Sequence, residues 1–548
     1  MPENVIQHVL RRLRDIGIDA VFGVPGDFAF PAHDAIVDTD GLEWIGCCNE
    51  LNAGYAADGY ARLRGAAALS TTYGVGELSA INAIAGSYAE NLPVFHLTGM
   101  PAMPVQGARS LVHHTLGDGE FDLFHRMAQP VVCGSAIMTP QNVAQETERL
   151  IAAALYHRKP VYMAFPADLA TAPVLGRAEI LDPPASDPEN LTAAVDAVIA
   201  ALEDANTACI LPGILAVRMQ LRGALAEFVD ASGLPVATMF ADKSVIDESH
   251  PRHLGMYDGK LANDQLGAFV ESCERVVRVG TSMTDFNSGA FTAALDPNRT
   301  IDIGRTVTRV GSAIYTSVEM RDMLAQLTRR ITTRSPVSTP TPSTMGPVVG
   351  TGDDPITAEA LYPRWERFFA PGDAVVAETG TASMGLAFAR LPKGATFHNQ
   401  TLWGSIGWAT PAAFGASVAG HPGRVVLITG EGAHQLTVQE VGQFGRRGLK
   451  PIIFVLNNDG YLIERLLCAN PDTAYNDVAP WDYTALPSAL GCSDWYTARV
   501  STCGELDDAM ATARTHDGGA YVEVVTDRYA APPLAKRLHD NLATLYGS

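Results

Sequence analysis

Cysteine is scarce in this 548-residue chain, and its arrangement excludes two common kinds of site. The eight cysteines stand at positions 47, 48, 133, 209, 273, 468, 492 and 503, without a Cys-x-x-Cys pair. Zinc sites and redox motifs need such closely spaced pairs, and disulfide scaffolds are short, cysteine-dense chains. We therefore expect reduced, mostly buried thiols in a cytoplasmic protein.

Positive charge and long apolar runs are also lacking. The chain has 39 Lys and Arg against 60 Asp and Glu, a net charge of −21. Nucleic acids and anionic membranes bind through patches of Lys and Arg, so we expect neither as a partner. No apolar run approaches the roughly 18 residues of a membrane helix, and the N-terminus has no basic start followed by an apolar core, as a secretory signal would. The net negative charge does not exclude a small anionic substrate, because such a substrate needs only a local binding site.

Two segments rich in Pro, Ser, Thr and Gly divide the rest of the chain. These predicted linkers, residues 166–190 and 333–355, lack apolar periodicity. They leave three blocks, at residues 1–180, 190–335 and 356–548. Three blocks agree with the typical size of a folded domain, about 150 residues.

Each block alternates short apolar runs with helical patterns. The predicted strands are residues 67–72 and 94–98 in the first block, 209–211 and 276–279 in the second, and 425–429 and 452–456 in the third. Helices are predicted between strands, at residues 78–90 and 435–447. Such alternation is typical of parallel sheets. The sequence therefore predicts three α/β domains, each with a mainly parallel sheet flanked by helices.

The third block carries a constellation of glycines and oxygen-bearing side chains. Gly430, Glu431 and Gly432 follow one predicted strand, and Asn458 and Gly460 follow the next. Because the carboxyl ends of neighbouring parallel strands share one crevice, these residues should lie together. The glycines would let backbone N–H groups approach a phosphate. The Glu431 carboxylate, Asn458 amide and Gly460 carbonyl, with two diphosphate oxygens and a water, would complete an octahedral Mg²⁺ site.

An NAD-binding interpretation fails at the same place. The dinucleotide fingerprint needs a third glycine, whereas the run here continues Gly-Glu-Gly-Ala-His-Gln. The glycine pair alone would be weak evidence for any ligand. The combination with the asparagine-rich turn after the next strand is what indicates a diphosphate and metal site.

Residues 430–464 closely resemble the cofactor segment of thiamine-diphosphate-dependent decarboxylases of the pyruvate, indolepyruvate and branched-chain keto acid type. The resemblance covers nearly the whole chain. Residues 21–62, 73–93 and 112–121 resemble that family's first domain, and residues 378–385 and 402–415 resemble its third; the middle domain matches more loosely, through residues 284–291. The resemblance implies a pyrimidine-binding first domain, a Rossmann-like middle domain and a diphosphate-binding third domain.

The resemblance also implies an activity and an assembly. It implies a carbon–carbon lyase that decarboxylates a 2-keto acid non-oxidatively to an aldehyde and CO₂, through a covalent thiamine diphosphate adduct and with Mg²⁺. It implies a site shared between a first and a third domain of two chains, hence a homo-oligomer, by resemblance a tetramer built from dimers. One residue departs from the family, which has Asp where this chain has Glu431. We expect Glu431 to hold Mg²⁺ less tightly than an aspartate would.

The resemblance assigns roles to individual residues. Glu50 matches the glutamate that hydrogen-bonds N1′ of the aminopyrimidine and so activates C2 of the thiazolium. Its small or apolar neighbours predict a raised pKa. Proton transfer after CO₂ leaves would use the general acid–base set Asp27, His113, His114 and Glu464.

Further matched residues would hold the cofactor and the substrate. Ile406 would separate the two rings of the cofactor, and Gly404 would accept from the 4′-amino group. Other predicted contacts to the cofactor are Thr379, Thr381, Gly430, Gly432, Ala433 and Ile463. The predicted substrate pocket comprises Phe286, Ser383, Met384 and Ile463. The sizes of these side chains favour different substrates, so pyruvate, other aliphatic keto acids and aromatic keto acids are all possible substrates.

Two alternatives accompany this prediction. One is a thiamine-dependent carboligase of the acetohydroxyacid synthase type, which a flavin spectrum would favour; the His113–His114 pair with Glu464 argues against it. The other is a non-catalytic paralogue, suggested only by Glu431. Failure to retain thiamine diphosphate in the presence of Mg²⁺ would favour that alternative.

Overall fold

Three β-sheets follow one another along the chain in the computed structural model, which describes residues 2–541. The strands of the first sheet are β1 (Ala20–Gly23), β2 (Glu43–Gly46), β3 (Ala67–Thr71), β4 (Val94–Met100), β5 (Ser135–Ile137) and β6 (Val161–Pro166). Their order is β2-β1-β3-β4-β6-β5, with all neighbours parallel. The helices around them are α1 (Val5–Asp15), α2 (Phe30–Val37), α3 (Glu50–Arg64), α4 (Val75–Ala89), α5 (Met103–Gly107), α6 (Leu123–Ala128), α7 (Val143–His157) and α8 (Ala167–Ala170).

The middle sheet is parallel except at one edge. Its strands are β7 (Ala208–Pro212), β8 (Val236–Thr238), β9 (His253–Met256), β10 (Arg275–Val279), β11 (Thr300–Ile303), β12 (Val307–Val310) and β13 (Ala313–Thr316), in the order β13-β12-β11-β10-β7-β8-β9. The edge strands β12 and β13 form an antiparallel hairpin beside β11. The helices are α9 (Pro188–Glu203), α10 (Ile214–Arg218), α11 (Arg222–Ser232), α12 (Asp264–Ser272) and α13 (Met320–Arg330).

The third sheet is again fully parallel. Its strands are β14 (Ala374–Ala377), β15 (Thr396–His398), β16 (Val425–Gly430), β17 (Ile452–Asn457), β18 (Tyr496–Val500) and β19 (Ala520–Val525), in the order β15-β14-β16-β17-β19-β18. Its helices are α14 (Ala358–Phe368), α15 (Thr381–Gly385), α16 (Ala409–Val418), α17 (Glu431–Thr437), α18 (Val441–Arg446), α19 (Leu462–Leu467), α20 (Leu486–Ala489), α21 (Cys503–Thr515) and α22 (Pro533–Asp540). The predicted fold class is confirmed, and we call the three units the first, middle and third domains.

Some predicted elements differ from the observed ones at their ends. The helix predicted at residues 435–447 starts earlier, at Glu431, and a 3₁₀ turn at Val438–Glu440 separates α17 from α18. The first predicted linker contains α8, whereas residues 333–355 contain no helix and no strand. In the described range, residues 2–541, no helix is both long and apolar enough to cross a bilayer.

Helices α3 and α16 bring the first and third domains into direct backbone contact. A Cβ added at Gly415 would lie 1.8 Å from the carbonyl oxygen of Ala56, and one at Gly59 would lie 2.1 Å from that of Ala412. Glycine is therefore required at both positions for the helices to approach this closely. The contact fixes α3, which starts at Glu50, relative to the loop that precedes α16.

We expect Gly415→Ala to destabilise the protein, because its methyl group would meet backbone that cannot move aside. Overpacking of this kind typically costs about 1–3 kcal/mol, so the midpoint of thermal unfolding should fall. Gly223→Ala is the matched control, since Gly223 lies in α11 with open space around its Cβ position. That control should be neutral or stabilise by up to about 1 kcal/mol. Equal midpoints for the two variants would contradict this account of the α3–α16 contact.

Candidate active site

Asp27, His113 and His114 form a compact group at the carboxyl edge of the first sheet. Asp27 follows β1, and the two histidines lie in the segment between α5 and α6. Nε2 of His113 donates to Oδ2 of Asp27 at 2.7 Å, and Nδ1 of His114 lies 3.9 Å from Oδ1. The ring of Phe28 stacks on His113. Burial acts to raise the pKa of Asp27, but the hydrogen bond and charge of His113 lower it below its usual value.

A buried glutamate, Glu77, supports the backbone beneath the two histidines. A Cβ at Gly74 would lie 2.1 Å from the carbonyl oxygen of His114, so the two backbones touch. Oε1 of Glu77 accepts from the Gly74 N–H at 2.8 Å, and Oε2 accepts from the hydroxyl of Tyr162 at 2.8 Å. Burial raises the pKa of Glu77 to about 7. Sequence reasoning missed this residue.

Glu50 is the first residue of α3 and lies beside the start of α4. The side chain of Asn49 caps α3 by accepting from the Asn52 N–H at 2.8 Å. A Cβ at Gly76 would lie 3.2 Å from Oε1 of Glu50, so the start of α4 is close to the carboxylate. Glu50 is half-buried, and burial raises its pKa, in the direction that its small and apolar neighbours predict.

The structure brings together the three predicted metal ligands at the carboxyl edge of the third sheet. The buried Oε1 of Glu431 accepts from the N–H groups of Gly460 at 2.7 Å and Asn458 at 3.2 Å. The side-chain oxygen of Asn458 lies 2.7 Å from the carbonyl oxygen of Gly460 and 3.3 Å from Oε1 of Glu431. Oxygens this close repel one another unless the amide is reversed or a cation lies between them. The donor set fits Mg²⁺, which prefers carboxylate and carbonyl oxygens.

Burial raises the pKa of Glu431 to about 7. The N–H groups that it accepts from and the nearby charge of Arg465 act in the opposite direction. Because a carboxylate must be ionised to bind a metal, protons compete with a cation at this site near neutral pH.

The two glycines of the predicted phosphate motif have different surroundings. A Cβ added at Gly430 would meet nothing within 4 Å, so the space beside this residue is open. At Gly432 a Cβ would lie 2.4 Å from the ring of Tyr461. The open space at Gly430 fits a bound diphosphate, whereas Gly432 is required for packing. Ala433 is buried in the first turn of α17.

A buried carboxylate also holds the loop that carries Ile406. Gly404 and Gly407, on either side, have positive φ angles of 64° and 86°. Oε2 of Glu378 accepts from the N–H groups of Gly407 at 3.2 Å and Ala409 at 3.1 Å. Oε1 accepts from the N–H of Thr379, and burial raises the pKa of Glu378 to about 7. Glu378 precedes the predicted cofactor residues Thr379 and Thr381, yet sequence reasoning gave it no role.

Three of the predicted pocket residues meet in one apolar cluster. Phe286 of the middle domain packs with Met384 of α15 and Ile463 of α19. The cluster also contains Phe240 and, from α22, Leu534, Ala535 and Leu538. The hydroxyl of Ser383 instead donates to the Gly380 carbonyl at 3.2 Å. The contribution of α22 was not predicted, because nothing in its sequence indicates which surface it covers.

Glu464 is the one predicted proton-transfer residue that the single chain does not join to the others. It is exposed on α19 of the third domain. Among residues 2–541, no hydrogen bond or ion pair links it to Asp27, His113 or His114. We refer to the predicted residues of the first domain (Asp27, Glu50, His113, His114) as the first-domain half-site, and to residues 378–464 at the carboxyl edge of the third sheet as the third-domain half-site.

Comparisons with known proteins find matches to all three domains. Residues 3–123, 195–330 and 378–524 match the N-terminal, central and C-terminal domains of the thiamine pyrophosphate enzymes. The chain is 41% identical over 550 residues to an alpha-keto-acid decarboxylase of Mycolicibacterium paratuberculosis, covering 98% of this chain and 96% of that protein. It is also 41% identical over 547 residues to the alpha-keto-acid decarboxylase of Mycobacterium tuberculosis, covering 98% and 97%.

Solved structures share the fold at much lower sequence identity. Benzoylformate decarboxylase from Polynucleobacter necessarius superposes with a TM-score of 0.80 at 18% identity, covering 97% of this chain and all of that one (100%). A thiamin diphosphate-dependent enzyme from Mycobacterium smegmatis superposes with a TM-score of 0.74 at 22% identity, covering 96% and 99%.

Binding of Mg²⁺ should depend on pH through Glu431. With a pKa of about 7, the carboxyl group is increasingly protonated as the pH falls, so apparent affinity should drop by up to about tenfold per pH unit below that value. Above pH 8 the affinity should be constant. Glu431→Asp shortens the ligand by one methylene and should bind Mg²⁺ more tightly at pH 8, because Mg²⁺ tolerates little distortion of its octahedron.

Calorimetric titration of metal-stripped protein with Mg²⁺, at saturating thiamine diphosphate, measures both effects. Glu431→Gln is the control, since its amide has no proton to lose in this range and should bind weakly at every pH. Equal Mg²⁺ affinity at pH 6 and pH 8 would contradict the role of Glu431. If Glu431→Asp bound Mg²⁺ at pH 8 as weakly as the wild type or more weakly, the argument from ligand length would be wrong.

Proposed function

The chain belongs to the thiamine-diphosphate-dependent 2-keto acid decarboxylase family, and we propose that it converts a 2-keto acid into an aldehyde and CO₂. The observation that carries this proposal is the Asp27–His113–His114 group, in which a carboxylate oxygen of Asp27 and one ring nitrogen of each histidine lie within 4.8 Å of one another. Close relatives across nearly the whole chain are named as alpha-keto-acid decarboxylases, which supports the same activity.

The residues present fit thiamine diphosphate and Mg²⁺. Glu50 would bind the aminopyrimidine, Ile406 and Gly404 would hold the cofactor bent, and the open space at Gly430 would take the diphosphate. Glu431, Asn458 and Gly460 would bind Mg²⁺. When bound, the cofactor supplies a nucleophilic carbon for the keto group and an electron sink for the broken carbon–carbon bond.

Glu50 would hold a proton at N1′ of the aminopyrimidine. Burial raises the pKa of Glu50, which favours the protonated carboxyl group that can donate to a ring nitrogen.

The remaining titratable residues would handle two protons after CO₂ leaves. The former carbonyl carbon must gain a proton, and the hydroxyl group must lose one before the aldehyde departs. Asp27 and His113 share a hydrogen bond and can pass a proton between them, while His114 stands beside Asp27. Glu464 would approach the substrate from the third domain.

Because no hydrogen bond or ion pair joins Glu464 to Asp27, His113 or His114 within residues 2–541, we infer that each complete site forms between two copies. Apolar side chains surround the first-domain half-site and are exposed: Val75 begins α4, and Leu111 and Leu116 flank the two histidines. Leu402 and Trp403 are exposed beside the Ile406 loop of the third-domain half-site. Such apolar surface around a polar site supports an interface between chains. The family resemblance supports a homotetramer built from two dimers.

The middle sheet is where a carboligase of the acetohydroxyacid synthase type would be expected to bind a flavin. A dinucleotide such as flavin adenine dinucleotide binds an open α/β sheet where the strand order reverses, here between β7 and β10. At that point the Gly213 N–H donates to the Val279 carbonyl at 2.8 Å, and a Cβ on Gly213 would lie 2.1 Å from the Gly280 oxygen. The two backbones thus approach closely at this point, and the absorption spectrum of the purified protein would distinguish a decarboxylase from a flavin-containing carboligase. The identity of the keto acid is best addressed with pyruvate, aliphatic and aromatic substrates and direct detection of aldehyde and CO₂.

We expect Glu50→Gln to lower decarboxylation of the best keto acid by about 10²-fold or more, the usual contribution of a positioned acid or base. The amide cannot share a proton with N1′, so hydrogen–deuterium exchange at C2 of bound thiamine diphosphate should slow as well. Unchanged circular dichroism would show that the fold is intact. An exchange rate equal to that of the wild type would remove Glu50 from the proposed mechanism.

Subunit mixing tests whether a site contains residues from two chains. Glu50→Gln and Glu464→Gln, each nearly inactive alone, should regain activity after subunit exchange, because a mixed dimer has one site with no substitution. Random pairing of two variants in a dimer leaves about one quarter of all sites intact. Glu50→Gln mixed with Asp27→Asn is the control: both changes lie in the first domain, so no intact site forms. No recovery in the first mixture would place each site within one chain.

A further inference from the structure

Arg465 is a fully buried charged residue between two parts of the third-domain half-site. Its side chain has 0% exposure, although it carries a guanidinium group. Nη1 donates to the carbonyl oxygen of Asn458 at 3.3 Å, and Nη2 donates to that of Asp459. Nη2 also donates to the carboxylate of Asp477 at 3.1 Å. A buried cation is costly unless its donors are paired; these contacts satisfy Nη1 and Nη2, whereas Nε has no hydrogen-bond partner among the described residues.

The loop that Arg465 contacts is the one that carries two of the proposed metal ligands. Asp459 has a φ of 58° and Gly460 a φ of 135°, so the loop turns sharply. A Cβ on Gly460 would lie 2.5 Å from Nη2 of Arg465, which means that the guanidinium packs directly on the glycine. Arg465 thus binds the first two carbonyls of the loop and leaves the Gly460 carbonyl to face the Asn458 amide.

Arg465 is itself part of α19, the helix that also carries Ile463 and Glu464. This helix has six residues, too few to be stable without external contacts. Its first N–H, that of Leu462, donates to the Gly460 carbonyl at 3.1 Å. Helix and metal loop are therefore connected twice, through this hydrogen bond and through the guanidinium of Arg465.

We propose that Arg465 is a positioning residue that couples divalent-cation binding at the Asn458–Gly460 loop to the placement of Glu464. A cation that draws the Gly460 carbonyl toward itself shifts the loop, and Arg465 transmits that shift to α19. The inference rests on the proposed function for the roles of the metal loop and of Glu464. Arginine suits the task because its planar fork bonds several oxygens in fixed directions, whereas lysine offers a point charge.

The test compares Arg465→Lys, which keeps the charge but loses the fork, with wild type and with Arg499→Lys. Arg499 lies in the same domain, pairs with Glu523 and is exposed, so its replacement should change nothing measured here. Mn²⁺ binding is followed by electron paramagnetic resonance in metal-stripped protein with thiamine diphosphate. Arg465→Lys should bind Mn²⁺ about tenfold or more weakly, the usual effect of changing a residue that orients metal ligands.

Hydrogen–deuterium exchange of backbone amides in residues 462–468, with and without saturating Mn²⁺, measures the coupling. In wild type and Arg499→Lys, Mn²⁺ should slow exchange in this segment; in Arg465→Lys, at Mn²⁺ concentrations that saturate it, exchange should hardly respond. Equal Mn²⁺ affinity in Arg465→Lys and wild type would overturn the proposal. Weaker binding with an undiminished exchange response would overturn the coupling.

Asp477→Asn replaces the lysine variant if the latter does not fold, because it removes only the exposed carboxylate that holds the guanidinium. A weaker Mn²⁺ affinity and a smaller exchange response are then expected, and wild-type values for both would count against the proposal. Neither readout requires turnover. Failure of the proposed decarboxylation would appear in the keto acid and Glu50→Gln experiments, whereas failure of this inference would appear in Mn²⁺ binding and exchange.

Discussion

The backbone contact between α3 and α16 determines where both half-sites stand. Gly415 against Ala56 and Gly59 against Ala412 leave no room for side chains, so the two helices have one way to pack. Helix α3 begins with Glu50, and α16 begins where the Ile406 loop ends. The position of each half-site within the chain follows from this contact.

Buried carboxylates then shape the loops that carry the functional residues. Glu77, Glu378 and Glu431 each accept backbone N–H groups from a loop at the carboxyl edge of a sheet. Burial raises the pKa of each to about 7, which shows how much their removal from water costs the ionised form. These loops have too few partners in regular structure, and the carboxylates satisfy N–H groups that would otherwise be unpaired.

The sequence predicted the features that depend on local order along the chain. Strand–helix alternation predicted three mainly parallel sheets, and the position of Glu431 and Asn458 directly after neighbouring strands predicted their proximity. It did not predict the antiparallel edge of the middle sheet, because short hairpin strands differ little from parallel ones in composition. It also missed Glu77, Glu378 and Arg465, whose importance lies in contacts made only after folding. Neither the residue types nor their spacing distinguish these three from ordinary helix and loop residues.

The apolar cluster around Ile463 is assembled from segments that are far apart in the chain. Phe240 and Phe286 come from the middle domain, Met384 from α15, and Leu534 and Leu538 from α22 near the end of the described residues. Phe240, Phe286, Leu534 and Leu538 all lie outside the segments that carry the predicted cofactor and metal residues. Such separation lets one wall of the cluster change by point mutation while the proton-transfer residues and metal ligands stay as they are. Under the proposed role of this cluster as the substrate pocket, divergence in substrate choice would need few steps, each of which leaves the chemistry in place.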